Sequence, residues 1–374
     1  MRILNLVEKI KAIETPLLLS IVIVVFVGLA ALYSAAGGDI SPWASKQFMR
    51  FMVGFFLMIV VALVDIRFWR TYSYVFYFFS LLLLVFVEIK GHIGMGAQRW
   101  IDLGVFSLQP SEVMKVTLIM ALAHYFHDKS PLEISRLKTY MWPLILIALP
   151  CALVLRQPDL GTMLILAATG AVVIFMAGIQ MWKVMTVLGL VGASLPALWF
   201  NMHAYQKKRV MTFLNPENDP LGSGYHIMQS KISIGSGGFW GKGFLQGTQS
   251  QLQFLPEKQT DFIFAHFSEE FGVFGGSLLI LLYGLIIAIA LKMTFDCRSY
   301  YARLYGVGFT ALFFFYVFIN IGMVMGLLPV VGVPLPFMSY GGTSMLSLLM
   351  GFGILFSASV HRHLRFGRSY NQDY

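Results

Sequence analysis

Charge is scarce in this chain. Only 12% of its 374 residues are Asp, Glu, Lys or Arg, where a water-soluble domain carries roughly 25% to keep its surface solvated. With 57% hydrophobic residues, no single soluble core could enclose the apolar surface, so lipid must be the solvent for most of the chain. Cysteine is nearly absent. Cys151 lies in an apolar run and Cys297 in a charged connection expected on the opposite side, so no disulfide is expected, and no Cys/His spacing of metal-site type appears. There is no basic stripe either. The net charge of +9 comes from cations dispersed among short connections, which excludes nucleic acid as a partner and points to membrane topology. Soluble domains, internal repeats and low-complexity tracts are also missing.

What is present is a series of long apolar runs. Crossing a bilayer takes about 20 predominantly apolar residues, and ten segments qualify: 15–36, 47–65, 71–89, 111–127, 141–156, 159–178, 182–203, 262–292, 303–326 and 341–361. The first is too long for a signal-peptide core and reads as a retained span. Leu6, Ile10 and Ile13 ahead of it share one helical face, as in a short interfacial helix covering 1–14. The expected fold is therefore an all-α, polytopic bundle of ten transmembrane helices. It forms one membrane domain over 1–374, with a large ordered loop at about 204–261 and a cytoplasmic tail at about 362–374.

Ten spans put both termini on one side. Arg67, Arg70, Lys129, Arg136, Lys138, Lys183, Arg298 and Arg303 join the terminal cations on that side. The opposite short loops hold only Lys46, Lys90, Arg99 and Arg156. The positive-inside bias places the termini in the cytoplasm and the long loop outside. Glu112 with Lys115, then Asp159, then Asp261 each open a helix at that outer leaflet, and the ninth-to-tenth connection, which includes Ser339, Gly341 and Gly342, lies there too. Ionisable groups in a span are costly and point inward, towards function. Each also has a structural reading. Asp159 and Asp261 suit helix N-caps, and Glu112 and Lys115, three apart, can neutralise each other. Glu269 and Glu270 read as structural, one of them facing inward and paired with a cation or protonated. Gly235-Ser236-Gly237-Gly238 and Gly341-Gly342-Thr343-Ser344 offer backbone N–H groups to an anion, and close helix packing accounts for membrane glycines equally well.

Five segments in order carry a family resemblance. They are Arg99-Trp100-Ile101-Asp102-Leu103-Gly104 with Gln109-Pro110-Ser111-Glu112; Gln157-Pro158-Asp159-Leu160-Gly161-Thr162; Arg209 within Lys207-Lys208-Arg209; Leu255-Pro256-Glu257-Lys258-Gln259-Thr260-Asp261-Phe262-Ile263-Phe264; and the run from Asn320 to Gly342 that contains Pro329, Pro334, Pro336, Ser339 and Tyr340. Together they resemble the SEDS family (shape, elongation, division and sporulation) of bacterial wall synthesis. The outer-loop wording, with Gly222-Ser223-Gly224-Tyr225-His226 and Gly247-Thr248-Gln249-Ser250-Gln251-Leu252, is similar to the elongation-type branch rather than the division paralogue. Lys258-Gln259 and His266-Phe267 depart from the family pattern without touching the acidic position.

The resemblance implies a peptidoglycan glycosyltransferase of the inner membrane. Its substrate is lipid II, which it polymerises into a nascent β-1,4 glycan strand during cell elongation. It implies Asp261 as general base. Lys115, Arg209 and Arg99 would meet the pyrophosphate, aided by loop N–H groups or a divalent cation (Mg²⁺ or Mn²⁺). Glu112 would hold Lys115, Asp159 would position a sugar or stabilise the cavity, and Trp100 would offer a flat face to a sugar or anchor the interface. The implied partner is a class B penicillin-binding protein, the transpeptidase of an elongation complex, with the ninth span as contact. Two other classes fit ten spans with outer-edge charges: a flippase for lipid II and a non-catalytic scaffold for the transpeptidase.

Overall fold

The computed structural model describes residues 5–94, 97–102, 104, 107–202, 204–219, 222–252, 254–255 and 257–364. Most of the expected cytoplasmic tail lies outside the described residues. The chain begins with α1 (Leu6–Lys11), α2 (Thr15–Ala35), α3 (Ala44–Leu63), α4 (Ile66–Thr71) and α5 (Ser73–Lys90). A small antiparallel meander of β1 (His92–Gly94), β2 (Ala97–Asp102) and β3 (Ser107–Leu108) follows, with Trp100 opposite His92 and Ile101 opposite Leu108. Next come α6 (Pro110–His127), α7 (Pro131–Ile134), α8 (Met141–Arg156), α9 (Leu160–Met176) and α10 (Met181–Asn201). The long connection folds into α11 (Ala204–Leu214), α12 (Ser223–Ser236) and α13 (Thr248–Gln251). The chain ends in α14 (Ile263–Asp296), α15 (Tyr300–Val324) and α16 (Gly342–Val360).

Each of the ten expected segments overlaps a helix, with ends that differ by a few residues and residue 203 outside the described ones. By length and apolarity alone, seven helices in the described residues suffice to cross a membrane: α2, α3, α5, α8 with the turn before it, α14, α15 and α16. The bundle is thus polytopic and nearly all helical, the meander being its departure from the all-α expectation. Helices α9 and α10 are shorter or less continuously apolar, and α6 is set apart by its charges. Fifteen of the 18 residues of α6 are buried, Glu112 and Lys115 among them. A helix enclosed on all sides needs no apolar stripe, and α6 packs on α5, α8, α9, α15 and α16. The outer helices show the opposite pattern, with Phe56 and Leu82 more than 60% exposed where lipid would lie.

Small residues bring the helices close. A Cβ on Gly353 of α16 would stand 2.8 Å from the Met58 carbonyl of α3, and one on Gly54 would meet Leu349 at 2.6 Å. Such contacts replace the hydrophobic drive that lipid does not supply. Cys151 and Cys297 are both buried and unpaired with each other.

Candidate active site

One end of the bundle holds a cavity of about 260 Å³ with charged side chains in its lining. Four elements build it, each for a local reason. Pro110 opens α6 where a missing N–H costs nothing, and one turn on, Glu112 and Lys115 share a face. Lys115 Nζ donates to Glu112 Oε1 at 2.8 Å. The Tyr316 hydroxyl of α15 closes a triangle, accepting from Lys115 and donating to Glu112. Lys115 also lies 4.4 Å from the centre of the Tyr316 ring. All three side chains are buried, so the ammonium has traded water for a carboxylate, a hydroxyl and an aromatic face.

The second wall is the start of α9. Asp159 is its N-cap, accepting from Thr162 N at 3.1 Å with Oδ1. Its other oxygen stands 3.5 Å from Arg99 Nη1. Arg99 reaches over from β2, its Nε donating to the Gln157 carbonyl (3.0 Å) and its Nη2 to the Pro158 carbonyl (2.7 Å). The capping reading of Asp159 and a place in the cavity are therefore both correct. The meander is what carries Arg99 and Trp100 to the rim.

The third wall precedes α14. Asp261 is not a cap: the N-cap is Phe262, and no side chain caps this helix. Its carboxyl faces the cavity with Glu257 and Thr260. Burial, then the charges of Glu257 and Asp159, push Asp261 from 3.8 up to about 7. No cation lining the cavity is bonded to it.

The fourth wall is the loop from Met325 to Gly341, of which Gly332, Val333, Pro334, Tyr340 and Gly341 line the cavity. The Asn320 amide, fully buried, donates to the Asp261 carbonyl (2.9 Å) and the Val333 carbonyl (2.7 Å). The Ser339 hydroxyl donates to Thr260 O at 2.6 Å and accepts from Leu335 N at 2.8 Å. Tyr340 N donates to Gln259 O at 2.8 Å. The turn that precedes Asp261 is thus sewn to this loop.

Asp261, Glu112, Lys115, Asp159, Arg99, Trp100 and Gly341 all line the cavity. Three expected residues do not. Ser339 spends its hydroxyl bracing the turn before Asp261, and Gly342 packs under Arg50, where a Cβ would meet the guanidinium at 3.2 Å. Arg209 belongs to α11 in the long connection before α14, and α11 packs on α12 and the turn at Pro216–Asn218 rather than on the cavity walls. The Gly341 N–H points at Gln47 Oε1 (3.4 Å) rather than into open space. Sequence reasoning missed Glu257, Thr260 and Tyr316. Glu257 and Thr260 flank Asp261 in its own motif, a signal that was available. Tyr316 sits in an aromatic run with no distinguishing pattern. A second hollow of about 840 Å³, lined by Trp43, Leu255, Lys258 and Gln259 among others, lies across the turn at 257–260.

Fold and site together define a polytopic membrane protein with an uncapped carboxylate and two ordered cations in a cavity at one end of its bundle. The chain belongs to the FtsW/RodA/SpoVE family of cell cycle proteins, which it matches over residues 11–364. It is 44% identical over 360 residues to peptidoglycan glycosyltransferase MrdB of Escherichia coli (strain K12), covering 96% of each chain. It is 37% identical over 343 residues to stage V sporulation protein E of Bacillus subtilis (strain 168), covering 89% of this chain and 93% of that one. Among solved structures, it resembles a chain of a peptidoglycan synthase complex that coordinates polymerization and crosslinking (TM-score 0.82, 30% identity, 94% of this chain and 98% of that chain). Rod shape determining protein RodA of Thermus thermophilus gives a TM-score of 0.71 at 27% identity, covering 94% and 98%.

Proposed function

We propose that this chain is a peptidoglycan glycosyltransferase of cell elongation, polymerising lipid II at the outer face of the inner membrane with Asp261 as general base. The observation that carries this reading is the Asp261 carboxyl itself. It is freed from capping, held by its main chain, and placed in one cavity with Lys115 and Arg99. The acceptor is the 4-hydroxyl of a sugar, a poor nucleophile until its proton is taken. A positioned carboxylate typically contributes about 10²–10⁴-fold by accepting it. The oxygen attacks C1 of the donor sugar as the bond to pyrophosphate breaks, and the proton passes to Asp261. An α-linked donor thereby becomes a β-1,4 link in one inverting displacement, as in inverting glycosidases.

Lys115 and Arg99 meet the pyrophosphate as fixed charges that need no rearrangement as it departs. Four carboxylates line the cavity against these two cations. Glu112 is paired with Lys115 and Asp159 with Arg99, leaving Glu257 and Asp261 without a bonded cation in the lining. With Asp261 kept for the proton, Glu257 would hold a divalent cation, Mg²⁺ or Mn²⁺, which takes one or two carboxylates and completes its shell with water and phosphate oxygens. Such an ion would supply charge neutralisation to the leaving pyrophosphate. The second hollow across the 257–260 turn supports separate volumes for the two saccharides.

The cation bias of the short loops supports cytoplasmic termini and an outward cavity. The partner is a class B transpeptidase. The exposed, stacked Phe314 and Phe318 of α15 (ring centres 5.5 Å apart) suit its single span. The test is lipid II polymerisation by the purified protein with its cognate transpeptidase, wild type against Asp261→Asn, with Mg²⁺, Mn²⁺ or chelator. Strands from the wild type and none from the folded variant are expected. Equal polymer from both would remove Asp261 from the chemistry, and none from either would move the weight to a flippase or a scaffold.

A further inference from the structure

The long helix α14 is two helices. Its backbone breaks at Gly272 (φ 66°, ψ −168°), a conformation that glycine adopts without penalty. A Cβ there would stand 2.4 Å from both Gly241 N and Phe239 O. Such a break strands the last carbonyls of the first half and the first amides of the second. Inside a membrane bundle those groups need partners from the protein.

The outer loop supplies them. Val273 N–H donates to the Gly238 carbonyl (3.0 Å) and Phe274 N–H to the Phe239 carbonyl (3.1 Å). In the other direction, Lys242 N–H and Gly243 N–H donate to the Glu269 and Glu270 carbonyls, both at 3.0 Å. Four main-chain bonds therefore close around the break. Gly241 (φ +83°) is the point of closest approach, where a Cβ would lie 2.1 Å from the Glu270 carbonyl.

A buried side-chain lock reinforces this seam. The Glu269 carboxylate is fully enclosed. Its Oε1 accepts from Lys242 Nζ (2.6 Å), Gln249 N (3.0 Å) and the Thr248 hydroxyl (3.1 Å), and its Oε2 from the Ser233 hydroxyl (3.2 Å). One inward glutamate is expected from the sequence and both are buried: Glu269 is the cation-paired one, its cation coming from the outer loop, while Glu270 accepts from the Ser34 hydroxyl.

The half-helix at 263–271 begins two residues after Asp261, so its attitude governs where that carboxyl stands. Asn320, Ser339 and Tyr340 hold the near end. The loop seam holds the far end.

We propose that Gly238–Gly243 is a clasp that sets the half-helix following Asp261, with Lys242 and Glu269 as positioning residues for the base. This inference rests on Asp261 being that base. Neither residue lines the cavity, so both act through the half-helix.

The test uses the full chain in complex with its transpeptidase, with two readouts on Lys242→Met, Lys242→Arg and Gly241→Ala. One is amide hydrogen exchange in the peptide containing Val273 and Phe274. The other is the rate of lipid II polymerisation across lipid II concentrations. Lys242→Met is expected to speed exchange and lower turnover on the order of 10–100-fold, the scale of a misplacement near 1 Å, with half-saturation unchanged. Lys242→Arg should restore both. Gly241→Ala should reproduce the Met phenotype from the backbone side with every charge retained. Wild-type turnover despite faster exchange would overturn the positioning role, as would lost turnover with unchanged exchange or a raised half-saturation alone. A wild type that forms no strands overturns the functional reading and the positioning role with it. Strands from the wild type with no rate loss in Lys242→Met overturn the positioning role alone.

Discussion

Asn320 holds Asp261 by its main chain, its amide nitrogen 2.9 Å from the Asp261 carbonyl and 2.7 Å from that of Val333. One fully buried side chain thereby joins α15, the turn before α14 and the loop that forms the fourth wall, while the Asp261 carboxyl is left free. Asn320→Ala strands two carbonyls, a loss of about 1–3 kcal/mol for an unsatisfied buried group. Its larger effect should be on chemistry, because the proposed base is no longer registered against the loop. Polymerisation at saturating lipid II is expected to fall on the order of 10²-fold in a variant that still binds its transpeptidase. A full rate would show that the remaining bonds suffice.

Asp261 should be a source of instability at neutral pH. Its carboxyl is pushed from 3.8 up to about 7 in the fold, first by burial, so the folded state prefers the protonated form. The contribution is fully favourable below about 4 and is lost as pH rises to about 7. Asp261→Asn should therefore raise the melting temperature in detergent with chelator present. The gain should grow from pH 5 to pH 7 and level off above. A gain independent of pH would point to packing rather than charge.

The buried pair Glu112 and Lys115 can be separated into its roles by a double-mutant cycle. Lys115→Met leaves an uncompensated carboxylate and should destabilise by about 3–5 kcal/mol. Adding Glu112→Leu removes that charge and should recover most of the loss in a thermal melt. Activity should stay lost in the double variant, since the fixed cation is gone. Recovered activity would make the pair purely structural.

Arg99→Lys tests geometry at constant charge. The guanidinium serves two carbonyls and faces Asp159 at once, which a point charge cannot do. Losing one such bond at about 1.5 kcal/mol corresponds to roughly tenfold in kcat/KM. An unchanged value would show that only the charge matters there.

The helices were legible because a bilayer demands about 20 apolar residues in a row, a signal that survives without alignment. The meander was not. Its strands run to three, six and two residues, too short for alternation to register. The break in α14 was hidden as well, since Gly272 is one of 35 glycines and nothing local marks it as the one that turns. In the site, the polar residues at helix starts were legible because charge in an apolar chain stands out. Tyr316 was not, lying beside Phe313, Phe314, Phe315 and Phe318 in a run that reads as packing. Ser339 and Gly341 were expected at the substrate, yet their polar groups are turned to the chain itself, something only the folded loop reveals.

The enclosure of α6 bears on how the protein is made. Most of its neighbours could enter a bilayer on their own, whereas α6 carries Glu112 and Lys115 in its first two turns, and ionisable residues within a span are costly unless they face a partner or water. The ribosome delivers it after α5, long before α15 and α16 exist to surround it. Until Tyr316 arrives, Lys115 and Glu112 have only each other and whatever water follows them in. Membrane integration of this chain is therefore not finished when its last helix leaves the ribosome, but when α15 and α16 close over α6 and complete the cavity walls.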